Sequence, residues 1–428
     1  MSESAAHTLV IGAGPAGLGA ALALGDAARV LERGADAGGL CATVTLEGAV
    51  FDLGGHSFHT HHREVRDLVF GALPMEEYRR DAWCYVKGEW IPYPFQQHFA
   101  ALRDAAVVAQ CQSGLDQRGH SKGGERDFDE HLERRHGAGI ARHFLRPYNE
   151  KLWGRDLTRL DPAWAAERVA GATPMAASEE GTARTPLQSD TRVAYPARGG
   201  FGEIYRALAA RVPRLSFGKT IARIDPAARI AVTRDGERIA WKHLVSTLPL
   251  PTLLAMLPGV PPGLGNAVET LVALPLVLVM VAFAGQLRTH RQRVYRADGE
   301  FPGHKIVINH NSSGYLRSAS RHGILVEISA ANGARADDGA LAEEVVRGLR
   351  SMGLTEPSDE MAATRVVRLP CGYPVPTHAR AGIVDEAVQW LAARDIHSVG
   401  RWGEWAYINS DEALHRGMRL GASIARRG

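Results

Sequence analysis

The first apolar positions of the chain fall into short runs around a glycine-rich turn. His7–Ile11 and Ala28–Leu31 have the length and composition of strands, and Ala20–Leu24 is typical of a helix. The segment between the first strand and the helix, Gly12–Gly19, reads GAGPAGLG. Strand, turn, helix and strand in this order predict a βαβ unit of the dinucleotide-binding kind.

Farther along the chain, the pattern predicts a helical region followed by strands. Within residues 94–170, Asp127 with Glu130 three residues later resembles a capping box and predicts a helix start. Apolar or ring side chains then recur at helical spacing at Phe128, Leu132, His136 and Ile140. Strands are predicted at Thr220–Ile224, Ile230–Val232, Leu244–Thr247, Leu276–Phe283, Lys305–Asn309, Ile324–Ile328 and Ile396–Val399. A further helix is predicted from about Asp411. Two aperiodic stretches, 112–126 and 170–193, predict surface loops, and we expect mobility near 170–193.

The composition is that of an ordinary globular protein and argues against two classes of partner. Of the 428 residues, 45% are hydrophobic and 23% are charged, and the formal net charge is +3. This charge is too small to indicate nucleic acid or an anionic membrane surface as a partner. The longest apolar run, Ala273–Ala284, is shorter than the about 20 residues that cross a bilayer. Because it also contains Pro275, it predicts a buried strand.

Cysteine usage and the N-terminal residues bear on the compartment. The four cysteines have neither metal-ligand nor CxxC spacing, so we expect free thiols in a reducing compartment and no metal site. Residues Met1–His7 carry no basic segment followed by an apolar core, so no signal peptide is predicted. We therefore expect a cytoplasmic protein. Its oligomeric state does not follow from these patterns.

The turn after the first strand has the spacing of a dinucleotide fingerprint. Gly12 permits a tight turn, Gly14 lets a pyrophosphate approach the backbone, and Gly17 allows close packing of helix and strand. Glu32 ends the second strand, where an acceptor for ribose hydroxyls is expected. A glycine-rich turn without a ligand is the alternative. The strand, helix and acid in register favour a dinucleotide.

Two further segments favour FAD over NAD. Gly38–Gly39 follow Glu32–Arg33, where the chain can pass beneath the cofactor. Gly400–Arg401 follow a predicted strand, as does the closing FAD-contact segment of flavoproteins with two dinucleotide-binding domains, although Arg401 is also compatible with an ordinary surface arginine. The predicted FAD contacts are Gly12, Gly14, Ala16, Gly17, Glu32, Arg33, Gly39, Leu40, Gly55, His56, Gly400, Arg401 and Tyr407.

Five motifs occur in the order found in one flavoenzyme family. They are Asp52–His56 (DLGGH), Ile91–Gln96 (IPYPFQ), Arg146–Trp153 (RPYNEKLW), Gly372–Thr377 (GYPVPT) and Gly400–Tyr407 (GRWGEWAY). Together with the glycine turn they resemble UDP-galactopyranose mutases, especially the eukaryotic branch, within the wider amine-oxidase and protoporphyrinogen-oxidase-like flavoproteins. The matches extend in order from about residue 8 to residue 420.

The resemblance implies an enzyme that interconverts the pyranose and furanose forms of a nucleotide sugar without net redox. In that family, N5 of the reduced flavin attacks the anomeric carbon and expels the nucleoside diphosphate. FAD in its reduced form, an NDP-sugar that is UDP-linked, and NAD(P)H or another reductant are therefore implied. By position, His56 would lie at the flavin face and Arg168 would bind the diphosphate. From residue type alone, His56 could instead fix a turn, and Arg168 could pair with Glu167.

The resemblance also assigns substrate contacts. In addition to Arg168, they are Tyr93, Phe95 and Gln96 at the uracil, Asn149 and Trp153 at the sugar, and Tyr373 and Tyr407 at the phosphates. Each aromatic residue among them is also compatible with a packing role. Two positions depart from the family, because Lys305 replaces a second diphosphate arginine and Ser312 replaces a tyrosine. We expect Lys305 to be a second, weaker phosphate contact, since an ammonium lacks the guanidinium fork.

These patterns and the resemblance predict an α/β protein with a Rossmann-like FAD-binding domain, a helical substrate domain and an antiparallel sheet layer. The expected divisions are 1–92, 197–265 and 385–428 for the discontinuous FAD-binding domain, 93–196 for the mainly helical domain with its mobile loop near 170–193, and 266–384 for the sheet substrate domain.

Two other functions are compatible with the same framework. An FAD-dependent oxidoreductase of the amine-oxidase or protoporphyrinogen-oxidase type would share the fold, since fold does not fix chemistry. Such an enzyme would not need the phosphate-binding set of Arg168, Tyr373 and Tyr407. A flavoprotein that binds a sugar nucleotide without converting it is the second alternative.

Overall fold

The computed structural model describes residues 7–118, 124–172, 191–330 and 337–427. The strands, numbered in chain order, are β1 Thr8–Ile11, β2 Ala28–Leu31, β3 Thr43–Leu46, β4 Ala49–Asp52, β5 Met75–Arg79, β6 Ala82–Val86, β7 Glu89–Pro92, β8 Arg192–Pro196, β9 Leu215–Ser216, β10 Ile221–Asp225, β11 Ile230–Thr233, β12 Arg238–Ala240, β13 His243–Ser246, β14 Ala273–Phe283, β15 Arg293–Arg296, β16 Lys305–Val307, β17 Gly323–Ser329, β18 Met361–Pro374 and β19 Ile396–Ser398.

The α-helices, numbered in the same way, are α1 Pro15–Leu24, α2 Arg63–Phe70, α3 Phe95–His98, α4 Ala105–Gln117, α5 Phe128–His136, α6 Ala138–Ile140, α7 Arg146–Trp153, α8 Glu203–Ala209, α9 Leu250–Ala255, α10 Pro262–Glu269, α11 Gly314–Ser318, α12 Asp338–Ser351, α13 Arg380–Ala392, α14 Gly400–Gly403 and α15 Ser410–Ala425. Short 3-10 segments lie at Gly25–Ala27, Gly39–Cys41, Phe99–Ala101, Leu157–Arg159, Pro162–Glu167 and Asn309–Ser312, and Ala141–Leu145 is π-helical.

Five parallel strands form the sheet that contains the N-terminal unit. Their order is β19-β13-β1-β2-β9. In the central strand β1, Val10 lies opposite Val245 on one side and Val30 on the other. All four residues of β1 are buried, as a parallel strand covered on both faces requires. The predicted βαβ unit is therefore confirmed, with α1 beginning earlier than expected, at Pro15.

Helices α1 and α15 pack at a distance that only glycine permits. A side-chain carbon at Gly417 would lie 2.0 Å from the carbonyl oxygen of Ala16. Similarly, a side-chain carbon at Gly19 would lie 2.3 Å from the carbonyl oxygen of Leu414. Because packed interiors do not tolerate such overlaps, these glycines fix the position of α15 against the first helix.

A seven-stranded sheet forms the second layer, in the order β18-β14-β17-β16-β15-β6-β7. All its pairings are antiparallel except that of β15 with β6, which is parallel. The apolar run predicted as a buried strand is β14, which is buried from Val277 to Phe283. Strand β17 is buried along its whole length, although it carries Glu327.

Helices α3 to α7 form the helical region and share an apolar core with β6, β7 and β14. Helix α5 begins as predicted, because the Asp127 side chain accepts from the Glu130 N–H at 2.9 Å. The prediction of a loop at 112–126 is wrong in its first part, since α4 continues to Gln117. The polar side chains at this end of α4 point outward and stabilise the helix, because the Gln117 amide donates to the Ser113 hydroxyl one turn earlier at 2.8 Å. Most of the loop predicted at 170–193 lies outside the described residues.

The architecture is therefore α/β, with one parallel sheet, several antiparallel sheets and a helical layer. The division into three domains stays a proposal. Strands β6 and β7, which we placed with the segment 1–92, pair within the seven-stranded sheet. Among the described helices, none is both long and apolar enough to span a bilayer.

Candidate active site

The glycine turn after β1 faces open space where a diphosphate is expected. A side-chain carbon at Gly17 would lie 1.9 Å from a backbone oxygen of the turn, whereas one at Gly14 would have no atom within 4 Å. Helix α1 begins directly after Gly14, and N–H groups at a helix start attract phosphate. The carboxylate of Glu32 accepts from the N–H groups of Ala13 at 2.8 Å and Gly34 at 2.7 Å, which fixes it beside the turn.

The loop after β4, residues 52–56, is anchored by a buried carboxylate; we call it the β4 loop. Asp52 is fully buried. Its donors are the Thr43 hydroxyl at 2.6 Å, the Tyr195 hydroxyl at 2.6 Å, the Phe201 N–H at 2.9 Å and the Asn309 amide at 2.9 Å. Because these donors come from three other parts of the chain, they fix the start of the loop relative to β3, to β8 and to the segment after β16.

His56, at the end of the β4 loop, is a neutral, fixed side chain. Its ring stacks on Phe201, with centroids 5.0 Å apart and planes 14° apart. Nε2 lies 3.1 Å from the carbonyl oxygen of Leu40, which can only accept, so Nε2 carries the proton. Burial lowers the pKa of His56, which keeps the ring neutral at neutral pH. Buried Arg293 donates to the His56 carbonyl at 2.6 Å and holds the backbone.

A second buried carboxylate, Glu327 on β17, contacts the same loop. It is 1% exposed and accepts from the Gly55 N–H at 2.6 Å, the Lys305 ammonium at 3.0 Å and the Tyr373 hydroxyl at 3.1 Å. Burial alone would raise the pKa of Glu327, but the Lys305 ammonium and nearby His304 outweigh it and hold that pKa well below its usual range. Glu327 is thus ionised and joins the β4 loop to β16 and β18.

Arg168 approaches from the helical region. It donates to Asn409 Oδ1 at 2.7 Å and to the Tyr407 carbonyl oxygen at 2.7 Å, and its guanidinium carbon lies 5.0 Å from the centre of the Tyr407 ring. Arg401 lies close to the same tyrosines, 5.8 Å from the Tyr373 ring and 5.5 Å from the Tyr407 ring. The two arginines therefore contact Tyr407 and place cationic groups near two tyrosine rings.

Aromatic rings and a buried arginine form another part of the site. The rings of Tyr93 and Tyr295 stack with centroids 4.6 Å apart, and Tyr148 meets Tyr295 edge-on at 5.9 Å. Arg80 is buried, lies 5.0 Å from the Tyr93 ring and donates to the Tyr295 hydroxyl. Burial raises the pKa of Tyr93 and of Tyr148, so their hydroxyls stay protonated. Such faces suit a planar base.

One cavity of about 890 Å³ extends between the β4 loop, Arg168 and the aromatic residues around Tyr93. The predicted residues that line it are Gly55, Tyr93, Gln96, Asn149, Arg168, Lys305, Tyr373 and Tyr407. Gln96 and Asn149 are fixed in it, because their amide nitrogens donate to backbone carbonyls at 2.6 Å and 2.7 Å.

Three of the residues predicted to act in catalysis or to bind the substrate do not line this cavity. Phe95 and Trp153 are fully buried, so the structure places them behind the wall rather than against a substrate. Phe95 stacks on a neighbouring phenylalanine at 4.9 Å, and Trp153 packs edge-on against Tyr407 at 5.7 Å. His56 lies behind Gly55.

Several residues of the site were not predicted, namely Arg80, Tyr148, Arg293, Tyr295, His304 and Glu327. One signal for Glu327 was present, because it is the single acid within the apolar strand GILVEIS. An acid in such a strand is almost never fully buried without a partner. Tyr148 lies within the motif Arg146–Trp153, which marked its segment but not its role, and the other four residues carry no local pattern that marks them.

Comparisons with known proteins identify the family. Residues 15–370 match the family described as flavin containing amine oxidoreductase. The chain belongs to the flavin-containing amine oxidoreductases. The family is described by its redox chemistry. The sequence motifs indicated the same wider group, the amine-oxidase and protoporphyrinogen-oxidase-like flavoproteins.

Solved structures agree with the motif resemblance. The chain is similar to reduced UDP-galactopyranose mutase with a TM-score of 0.89 and 26% identity, over 100% of this chain and 95% of that one. It shares its fold with cyclohexylamine oxidase from Brevibacterium oxydans at a TM-score of 0.73 and 16% identity, covering 99% of both chains. A putrescine oxidase double mutant shares the fold with a TM-score of 0.69 and 15% identity, covering 98% of this chain and 99% of that one.

The cofactor of this flavoenzyme is FAD. The residues present fit it, because the open space at Gly14 lies at the start of α1, where phosphate is favoured. The Glu32 carboxylate beside that turn suits ribose hydroxyls. At the cavity, Gly55 of the β4 loop would meet the reactive end of the cofactor.

Proposed function

We propose that this flavoenzyme interconverts the pyranose and furanose forms of a UDP-linked or related NDP-sugar, with reduced FAD and no net redox. One observation carries the proposal: a single cavity runs from Gly55 of the β4 loop past Arg168 and the phenols of Tyr373 and Tyr407 to Tyr93. A sugar nucleotide needs a base pocket, a cation for its diphosphate and access to the flavin. The similarity to a UDP-galactopyranose mutase over the whole chain supports the same substrate class.

The protein would hold the sugar and stabilise the leaving diphosphate. Bound reduced FAD would supply a nucleophilic nitrogen for the anomeric carbon. Arg168 would exchange its neutral acceptors, Asn409 and the Tyr407 carbonyl, for two diphosphate oxygens, which its planar fork matches. The hydroxyl of Tyr407 would donate a further hydrogen bond, and that of Tyr373 would donate to the diphosphate in place of Glu327. Groups fixed before the reaction stabilise developing charge most effectively.

The base and the sugar would lie on either side of the diphosphate. Tyr93 and its stacking partner Tyr295 offer flat faces for the uracil, next to the buried guanidinium of Arg80. Gln96, fixed by its bond to the Ala170 carbonyl, would read the edge of the base. Asn149, buried and fixed in the same way, would border the sugar.

The test is a panel of NDP-sugars incubated with oxidised and dithionite-reduced enzyme and analysed by chromatography. We expect furanose–pyranose conversion only with the reduced enzyme. Amines tested in parallel for oxygen uptake should give none. Oxygen uptake with an amine, and no sugar conversion, would support the oxidoreductase alternative. Binding of an NDP-sugar without any conversion would support the non-catalytic alternative.

A further inference from the structure

A cluster of histidine and glutamate side chains lies at the rim of the cavity and has no part in the proposed function. The segment before α2 reads His59–Thr60–His61–His62, and α2 carries Glu64 in its first turn. Helix α15 brings His415 and Glu412 to the same place. We call His62, Glu64, Glu412 and His415 the His62 cluster. His62, Glu412 and His415 line the cavity that also contains Arg168.

Three side chains of this cluster, His62, Glu64 and His415, have ligand atoms close enough to share one ion, and Glu412 lies beside them. Nε2 of His62 lies 2.7 Å from Oε2 of Glu412, and Nε2 of His415 lies 3.0 Å from Oε1 of Glu64. Nδ1 of His415 is 4.0 Å from the same Glu412 oxygen. Ligand atoms of His62, Glu64 and His415 all lie within 4.8 Å of one another. In tetrahedral zinc sites, donors about 2.0–2.2 Å from the metal lie about 3.3 Å apart, so small side-chain rotations would suffice.

The charges of the cluster also favour a divalent cation. The rings of His62 and His415 stack with centroids only 3.5 Å apart. The carboxylates of Glu412 and Glu64 lie beside these rings, so two negative charges meet at one pair of imidazoles. Arg416 balances only part of this charge, since it bonds Glu412 at 2.6 Å and is shared with Glu404.

Outer contacts hold the ligands in place, as they do in established metal sites. Arg416 binds Oε1 of Glu412 and thereby leaves Oε2 directed at His62. The His62 N–H donates to the Thr60 hydroxyl at 3.2 Å, which fixes the backbone of that segment. Close packing of α1 on α15 at Gly417 fixes the helix that carries His415.

We propose that the His62 cluster binds one divalent transition-metal ion of the Zn²⁺ type. Two imidazoles and the Glu64 carboxylate suit Zn²⁺, with Glu412 held against His62, whereas Mg²⁺ prefers oxygen ligands and several waters. The ion would join the segment before α2 to the first turn of α15. The residues directly before α15, Tyr407 and Asn409, hold Arg168, so the ion would stabilise this part of the cavity. The inference does not depend on the proposed function.

The test uses the full FAD-loaded chain without an affinity tag, stripped with EDTA and dialysed against Zn²⁺. We expect one Zn²⁺ per chain, with little effect of excess Mg²⁺. His415→Gln and Glu64→Gln should each weaken Zn²⁺ binding on the order of tenfold to a hundredfold. His290→Gln, which changes an exposed histidine away from the cluster, should leave the affinity unchanged.

Two controls make the result decisive. Bound FAD, read from its visible absorption, reports folding of each variant. Glu64 is about half exposed at a helix start, so Glu64→Gln should fold even where His415→Gln does not. At a Zn²⁺ concentration that just saturates the wild type, Zn²⁺ should also raise the thermal midpoint of the wild type by more than that of Glu64→Gln. Equal Zn²⁺ affinity in the wild type and Glu64→Gln, or no stoichiometric binding by the wild type, would overturn the proposal.

Discussion

Two cationic side chains line the same cavity but have different partners. Lys305 on β16 donates to Glu327, a carboxylate that is 1% exposed and that also holds the Gly55 N–H. Arg168 donates to two neutral oxygens, those of Asn409 and the Tyr407 carbonyl. An ion pair with a buried carboxylate holds the first cation within the fold, whereas the second donates to a side-chain amide and a backbone carbonyl. The comparison therefore indicates that Lys305 stabilises the β4 loop, while diphosphate binding is our proposal for Arg168.

The comparison changes what we expect of Lys305. From the sequence, it stood where the mutases carry a second diphosphate arginine. In the structure, a side-chain carbon at Gly55 would lie 2.5 Å from the Lys305 ammonium, so the lysine packs against the β4 loop. Its role as a phosphate contact stays a prediction. Its bond to Glu327 means that a diphosphate would have to compete with a buried carboxylate.

The largest effect should follow from removing the paired cation. Lys305→Met would leave Glu327 buried without its counter-charge, which costs about 3–5 kcal/mol of unfolding free energy. Lys305→Met combined with Glu327→Gln should recover much of that loss, because no buried charge remains. Lys219→Met, which breaks ion pairs with Asp235 and Glu237 at the surface, should have a much smaller effect. Denaturant unfolding followed by tryptophan fluorescence measures all three. Equal losses of unfolding free energy in the single and the double variant would refute the structural role of Lys305.

A smaller effect is expected from the other cation, and on turnover rather than stability. Arg168→Ala should lower kcat/KM for the NDP-sugar on the order of tenfold to a hundredfold, since charge-assisted bonds contribute about 1.5–3 kcal/mol. FAD content and the unfolding midpoint should not change. Arg159→Ala removes an exposed arginine outside the cavity and serves as the matched control. Wild-type kinetics for Arg168→Ala would place the diphosphate site elsewhere.

The pH dependence of stability offers the smallest but most specific effect. In the wild type, the pKa of Glu327 is held below its ordinary value of 4.5, so its stabilising contribution is complete above that value and is lost on further acidification. In Lys305→Met, burial should raise the pKa of Glu327 above 4.5, so that variant loses stability as the pH rises through the raised value. The difference in unfolding free energy between the two proteins should therefore narrow from pH 8 to pH 5. It should narrow by about 1.4 kcal/mol for each unit by which the variant raises the pKa of Glu327 above its ordinary value. A difference that does not vary with pH would show that Glu327 titrates alike in both proteins.

Local features of this fold could be predicted, and contacts between distant segments could not. The turn at Gly12–Gly17, the cap at Asp127 and the apolar strand β14 depend on neighbouring residues, and their patterns predicted them. Glu327 and Arg293 act on the β4 loop from strands more than two hundred residues away. Their function depends on the register of the seven-stranded sheet, which no local pattern encodes.

The resemblance predicted which segments form the cavity better than it predicted which side chains face it. Tyr93 and Gln96 line the cavity, whereas Phe95, between them, lies in the core behind. In the same way, Asn149 lines the cavity and Trp153, one helical turn later, does not. A motif fixes the position of a segment. The direction of each side chain depends on packing against neighbours that come from other parts of the chain.

The most direct test of the central claim is the ratio of product to reducing equivalents. The FAD-loaded enzyme would be reduced once with dithionite under anaerobic conditions and then given UDP-galactopyranose, with the sugar products counted by chromatography and the flavin followed by absorbance. The account predicts many furanose molecules formed per flavin, approaching the sugar equilibrium, while the flavin stays reduced. One reduced product per flavin, with the flavin reoxidised as that product forms, would contradict it.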